Sequence, residues 1–362
     1  MTPLTEQLRA EIEQGGPLPF ARFMQRALYD PAHGYYARCQ NQTGRRGDFF
    51  TSVSVGPLFG ALLAFQFARW HEARPGPSAP FQIVEGGAHD GQLACDVLTA
   101  WQDTEPALFS TAGYWIVEPS AERRAAQQKT LAGFPSVRWW ESWEEIRDRV
   151  HGVIFSNELL DAMPVHPFAW NPTRRAWEEL GVTVTGDSFT SIRMPIPTTA
   201  PPQLPDALLD VLPDGYIIER SPAAALWWRD AADALAQGRL MTIDYGGTFE
   251  ELLSPGRTAG TLRAYSRHRV SAGVLANPGE QDITAHVNFT EIQQAGEAAG
   301  LRTETFTSQG QFLTGIAREL WQRPGTRPQE QARQFQTLTH PEHLGRPFRV
   351  LVQARQGQGH AS

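Results

Sequence analysis

The chain is predicted to fold as an α/β protein around a parallel, doubly wound sheet. Three observations carry this expectation. Short β-like runs alternate with helical stretches from Phe81 onward, the first strand-to-helix junction is Gly-rich, and an apolar run near the end, FRVLVQAR, offers a closing strand.

Taken in order, PFARFMQRALYD and PLFGALLAFQFARWHEA both have helical spacing, with a Gly-bearing stretch from Gly44 to Gly56 between them. ARPGPSAP reads as a linker, and FQIVE, GGAHDGQ and LACDVLTAWQ then form strand, turn and helix. YWIVE leads into SAERRAAQQKTLAG, where Ser120 can cap a helix that Gly133 stops. VRWW and GVIFSNELLDAMP supply two further strands, and GRLMTIDYGG a fifth after the helix SPAAALWWRDAADALAQG. Two stretches break the alternation. Val165 to about Gly238 reads as an inserted antiparallel hairpin, a Pro-rich loop and that helix. Gly256 to about Gln309 carries too many polar and Gly/Pro residues for a plain crossover. The expected division is a helical N-terminal lid over 1–79, a core over 80–164 and 239–362, and an insertion over 165–238.

Composition narrows the function classes. Of 362 residues, 41% are hydrophobic and 20% charged, as in ordinary globular chains. A net charge of -7 with no basic stripe gives little attraction for phosphates, so nucleic acid is not an expected partner. The cysteines Cys39 and Cys95 build neither a disulfide framework nor a clustered zinc site, and no metal is assigned. No apolar run reaches the ~20 residues that span a bilayer, and the first residues lack a secretory pattern, so a cytoplasmic location is expected. The oligomeric state stays open, a homodimer included.

The stretch Ile83 to Leu93 allows two nucleotide readings. As a dinucleotide fingerprint it is Gly86, Ala88, Gly91; as a turn for S-adenosylmethionine it is Glu85, Gly87, His89, Gly91. Glu85 favours the second, because a buried carboxylate at a strand end repels a pyrophosphate and attracts a sulfonium and an ammonium. Glu118, ending the second strand, can accept bonds from both ribose hydroxyls. In the third strand end, Trp139-Trp140-Glu141-Ser142, Trp140 is the candidate to stack on adenine, although aromatic residues there also serve as core.

At this point the chain resembles a known family, the MidA-like methyltransferases, whose mitochondrial member is the arginine methyltransferase that assists assembly of respiratory complex I. The resemblance rests on LYDPAHGYY, GDFFTS with PLFG, EGGAHDGQL, VEPSAERRAAQ, SNELLDAMPV, the Trp177-Glu178 hairpin, ERSP, IDYG, GTLRAY and GEQDITAHVNF. It implies a Rossmann-like seven-stranded methyltransferase core with a helical N-terminal extension and inserted segments, S-adenosyl-L-methionine as methyl donor, and an arginine on a partner protein as acceptor. Carried over by residue, Gly87 and Gly91 match the cofactor turn, Glu118 the ribose carboxylate, and Asn157, Glu158 and Asp161 the acidic motif after the fourth strand. Gly47, Asp48 and Thr51 match a cofactor-facing loop. The chain departs from the family at Gly86, Ala88 and His89, where Leu, Pro and Gly are usual, and at Val53-Ser54, where Pro-Glu is usual. A side chain at His89 can crowd the donor or force the turn outward.

Carboxylates are the groups to seek, because they can grip a guanidinium and orient one nitrogen. Asn157, Glu158 and Asp161 follow a strand at the sheet's carboxyl edge and are the candidate catalytic set; the plain alternative is that Glu158 and Asp161 favour a helix N-terminus. Asp244, and Asp282 with Thr284 and His286 on one face, can also approach the acceptor. Two other classes stay open: a non-catalytic assembly factor with a degenerate pocket, motivated by His89, and a nicotinamide-dependent dehydrogenase, motivated by the Gly86, Ala88, Gly91 spacing.

Overall fold

The computed structural model describes residues 2–37, 51–74, 80–266, 269–270, 273–326 and 328–356. Its centre is an eight-stranded sheet. From one edge to the other the order is Arg302–Ser308, Phe348–Arg355, Leu235–Gly247, Val150–Asn157, Gln82–Gly86, Gly113–Val117 and Arg138–Trp140, with the short Val287–Asn288 paired to the end of Leu235–Gly247. The strands from Leu235–Gly247 to Arg138–Trp140 run parallel, and the closing strand Phe348–Arg355 is antiparallel to both of its neighbours.

The run QIVEG is buried along its whole length because both faces of the sheet are covered. On one side Phe59, Leu62, Val97 and Trp101 pack on Val153, Phe155, Ile243 and Val350; on the other Trp228, Ala231, Phe289 and Ile292 pack on Val84, Ile154, Leu240 and Leu351. The expected cap forms: Ser120 Oγ accepts the backbone N–H of Arg123 at the start of helix Ala121–Thr130, which ends before Gly133.

The interruption after Val165 is more than a hairpin. Strands Leu18–Pro19, Ala176–Thr185, His166–Asn171 and Ile217–Arg220 form a second sheet, in that order, with Ser188–Arg193 also paired to Ala176–Thr185. Helices Pro3–Gly15 and Phe20–Tyr29 pack here, through Leu8, Phe23, Met24 and Leu28 against Val165, Val182 and Ile283, whereas helix Leu58–Glu72 packs on the central sheet. Helix Pro222–Ala234, which ends the interruption, is the crossover that returns the chain to the central sheet. A third, small sheet joins Arg269–Val270, Arg263–Ser266 and Asp282–Thr284. No helix among the described residues is long and apolar enough to cross a membrane.

The crossover helix is tied to the last strand by one buried polar bond. Trp228 Nε1 donates to Gln353 Oε1 at 2.7 Å, both residues being fully buried, while the Gln353 amide nitrogen donates to Gln293 O and Thr303 Oγ1. Trp228→Phe leaves Gln353 Oε1 without its donor, and a buried acceptor left unsatisfied costs about 1–3 kcal/mol. Urea unfolding is expected to show a lowered midpoint at an unchanged slope.

Candidate active site

The chain reverses its direction of travel across the sheet between Gln82–Gly86 and Val150–Asn157, which lie side by side with Glu85 opposite Phe155 and Gly86 opposite Ser156. A crevice opens beyond their carboxyl ends. It is part of a cavity of about 1220 Å³ whose lining includes Glu85, Gly87, His89, Glu118, Trp143, Asn157, Glu158, Asp161 and Asp282.

The turn after Gly86 places three residues in the left-handed region, Gly87 at φ 73, His89 at φ 48 and Gly91 at φ 84. At Gly87 the positive φ favours glycine, and a Cβ there would lie 2.7 Å from Leu159 Cδ1 and push that side chain aside. His89 adopts the conformation glycine favours while carrying a side chain, and histidine tolerates it better than most. The turn is held by the Gln127 amide, which donates to His89 O at 3.1 Å, and the His89 ring lines the cavity with Nδ1 3.6 Å from Asp90 Oδ1. Gly91 caps helix Gln92–Thr104 and is outside the lining.

Glu85 is buried, with Tyr114 Oη donating to its Oε2 at 2.7 Å. Burial raises its carboxyl to about 7 against the pull of that bond. Glu118 accepts the backbone N–H of Ser120 on Oε1 and the Gln127 amide on Oε2. Trp140 is not at the cavity. Its ring packs edge-on against Trp115, and the bend that follows the strand brings Trp143, on the same side of the sheet, into the lining instead. Trp143 in turn meets Trp227 of the crossover helix, centroids 5.3 Å apart.

On the other side of the crevice Glu158 stands at φ 52, a strained conformation for a residue with a side chain. Its backbone N–H donates to Ile243 O, and its Oε1 accepts from Ser52 N at 2.9 Å and Asn157 Nδ2 at 3.1 Å. Burial lifts this carboxyl to about 7, the two bonds opposing and Asp244 adding to the rise. Asp161 is pushed well above the usual range by burial, then by the charges of Asp244, Asp282 and Glu158. No helix starts here. Residues 158–165 form a bend, which removes the helix-terminus reading of Glu158 and Asp161. Asp244 nails that bend, accepting from Leu159 N, Leu160 N and Tyr245 N, and is outside the lining.

Asp282 and Thr284 line the cavity, whereas His286 does not: it packs on Tyr245, and burial lowers it to about 4. Tyr36 Oη donates to both oxygens of Asp282 at 3.0 Å. Arg123 fastens the same turn, donating to Tyr36 O with its guanidinium 5.1 Å from the Tyr36 ring centre. Thr51 lines the cavity, while Gly47 and Asp48 lie outside the described residues. Tyr29, Tyr36, Arg123 and Gln127 lie within LYDPAHGYY and VEPSAERRAAQ but drew no site role from the sequence, and Trp143 lies outside every such string; the fold brings them to the site.

The family model Methyltransf_28, described as S-adenosyl-L-methionine-dependent methyltransferase, matches residues 62–307. The mitochondrial protein arginine methyltransferase NDUFAF7 of Mus musculus is 28% identical over 323 residues, covering 82% of this chain and 70% of its own. The Drosophila melanogaster homolog is 28% identical over 385 residues, covering 96% and 84%. A COG1565 superfamily protein of Burkholderia thailandensis, crystallised with S-adenosyl-homocysteine, is 34% identical with a TM-score of 0.84, over 97% of this chain and 92% of its own.

The raised carboxyls give the fold a signature in pH. Folded Glu158 keeps its proton up to about 7, whereas an unfolded glutamate loses it near 4.3. Its contribution to stability is therefore complete below about pH 4 and lost as pH rises to about 7. His286, lowered to about 4, acts in the opposite sense, so a difference between two proteins is the cleaner reading. Relative to the wild type, Glu158→Gln is expected to gain stability between about pH 5 and about pH 7.5, read by urea unfolding. Parallel profiles would show that Glu158 titrates as an ordinary glutamate.

Proposed function

This chain belongs to the S-adenosyl-L-methionine-dependent methyltransferases, and we propose that it methylates the guanidinium of an arginine on a partner protein. One observation carries the proposal: the carboxylates Glu158, Asp161 and Asp282 share one cavity with the Gly87 turn, Glu85 and Glu118. The names of the mouse and fly relatives, protein arginine methyltransferases, support the same acceptor. On the resemblance drawn from the sequence, we take the partner to be a subunit of respiratory complex I, met in the cytoplasm.

The residues present fit the donor. The turn at Gly87 lines the cavity, Glu85 is a buried carboxylate that a cation would satisfy, and Asn157 Oδ1 is buried with no partner among the described residues. S-adenosylmethionine supplies an electrophilic methyl group on a sulfonium. In the proposed roles Glu118 accepts from the ribose hydroxyls, while Glu85 and Asn157 Oδ1 face the ammonium of the methionine moiety. This cation-seeking surface also disfavours the pyrophosphate of a nicotinamide cofactor. Glu158 and Asp161 orient the acceptor, and positioning of this kind can supply most of the rate of an in-line displacement. A guanidinium nitrogen that gains a methyl group gives up one proton. Glu158 Oε1 is committed to Ser52 and Asn157, so Oε2 is the atom that takes the proton, and a carboxyl near 7 is matched to that task.

Two substitutions separate donor from acceptor. Glu118→Ala is expected to weaken S-adenosylmethionine binding by about 1–3 kcal/mol in calorimetry, and unchanged affinity would remove Glu118 from the donor site. Glu158→Gln is expected to lower turnover by roughly a hundredfold or more while donor affinity stays close to that of the wild type. The count is of methyl groups found by mass spectrometry on an arginine-bearing peptide, with the lysine counterpart as control. Equal transfer to both peptides would refute the arginine assignment.

A further inference from the structure

A loop from outside the family-matching span, residues 62–307, touches Glu158, and helices from beyond the other end of that span hold the loop. The Ser52 backbone N–H donates to Glu158 Oε1 at 2.9 Å, and Ser52 itself is fully buried. Its hydroxyl donates to Gln309 Oε1 at 3.1 Å; Gln309, fully buried as well, donates through Nε2 to Leu338 O at 3.0 Å. Beyond the short 3-10 turn Val53–Val55 a second glutamine takes hold, Gln334 Oε1 accepting the backbone N–H of Leu58 at 3.1 Å. Helices Gln309–Leu320 and Pro328–Thr339 thus grip both sides of this turn.

A chain of buried bonds of this kind has one arrangement, since a member that turned away would leave a donor or acceptor unsatisfied with no water to replace it. The Gln309 amide cannot flip, because Nε2 is needed by Leu338 O and Oε1 by Ser52. Glu158, in contrast, begins from a strained backbone, so the direction of its carboxylate depends on the donors that meet Oε1. One of these is its neighbour Asn157, and the other is the loop that Gln309 holds.

We infer that Ser52 and Gln309 are positioning residues for Glu158, through which the C-terminal helix pair sets the direction of the carboxylate that meets the acceptor. The inference rests on the acceptor-facing reading of Glu158, and its test is independent of any acceptor. Glutamate labelled with carbon-13 at the carboxyl is followed by NMR through a pH titration, with Glu158→Gln identifying the signal. In Gln309→Met, and in the smaller change Ser52→Ala, the midpoint of Glu158 is expected to rise by about half a pH unit or more, because a donor to the charged form has been loosened. Asn157 and Asp161 beside Glu158, and Asp244 on strand Leu235–Gly247, face the same carboxylate and are untouched by either substitution. Turnover on the arginine peptide is expected to fall roughly tenfold at unchanged donor affinity. A Glu158 midpoint that stays at its wild-type value in both variants overturns the inference. A midpoint that rises, combined with full turnover in Glu158→Gln, keeps the positioning network and removes the acceptor role of Glu158.

Discussion

The site depends on one constraint of topology: two parallel strands that end side by side, Gln82–Gly86 and Val150–Asn157, and whose connections leave toward opposite edges of the sheet. Neither following segment can cover the ends of both strands, so the space between them stays open. The residues bordering it are those that directly follow each strand, Gly87 on one side and Asn157-Glu158 on the other. Donor-side and acceptor-side groups are therefore near neighbours although they come from separate parts of the chain.

Placing carboxylates in such a crevice is costly, since a buried charge without a partner is strongly destabilising. Asp244 accepts from three backbone N–H groups and serves the bend that carries Glu158 and Asp161, yet burial still lifts its carboxyl to about 7. Glu85, Glu158 and Asp161 are raised by burial in the same way. A group held in this state is ready to exchange its proton for a cation, which suits a site whose donor is a sulfonium.

Much of the central sheet was legible in the sequence, because its strands are short apolar runs with Gly or carboxylate residues at their ends. Glu85, Glu118 and the Asn157-Glu158 pair could be placed at the cavity since each directly follows or ends such a run. Trp140 was placed at the adenine from its position at a strand end, and Trp143 was missed because its place in the lining depends on how the chain bends after that strand. The second sheet was read as a hairpin because its outer strands, Leu18–Pro19 and Ile217–Arg220, are short and far apart in sequence. Tyr36 and Asp282 each lie in a string that carries the family resemblance, but nothing in the sequence pairs them across 246 positions, and Tyr36 beside Tyr35 looks like packing.

The bond between Ser52 and Gln309 spans 257 positions. Closing so long a loop is slow compared with forming local structure, and during synthesis it cannot happen until residue 309 has left the ribosome. The strand, turn and helix around Gly87, with Glu118 soon after, and the parallel strands on either side of Gln82–Gly86 are all complete in the chain by residue 157. A molecule cut short before Gln309 lacks both the clamp on Glu158 and the strand Phe348–Arg355 that joins Arg302–Ser308 to the rest of the sheet.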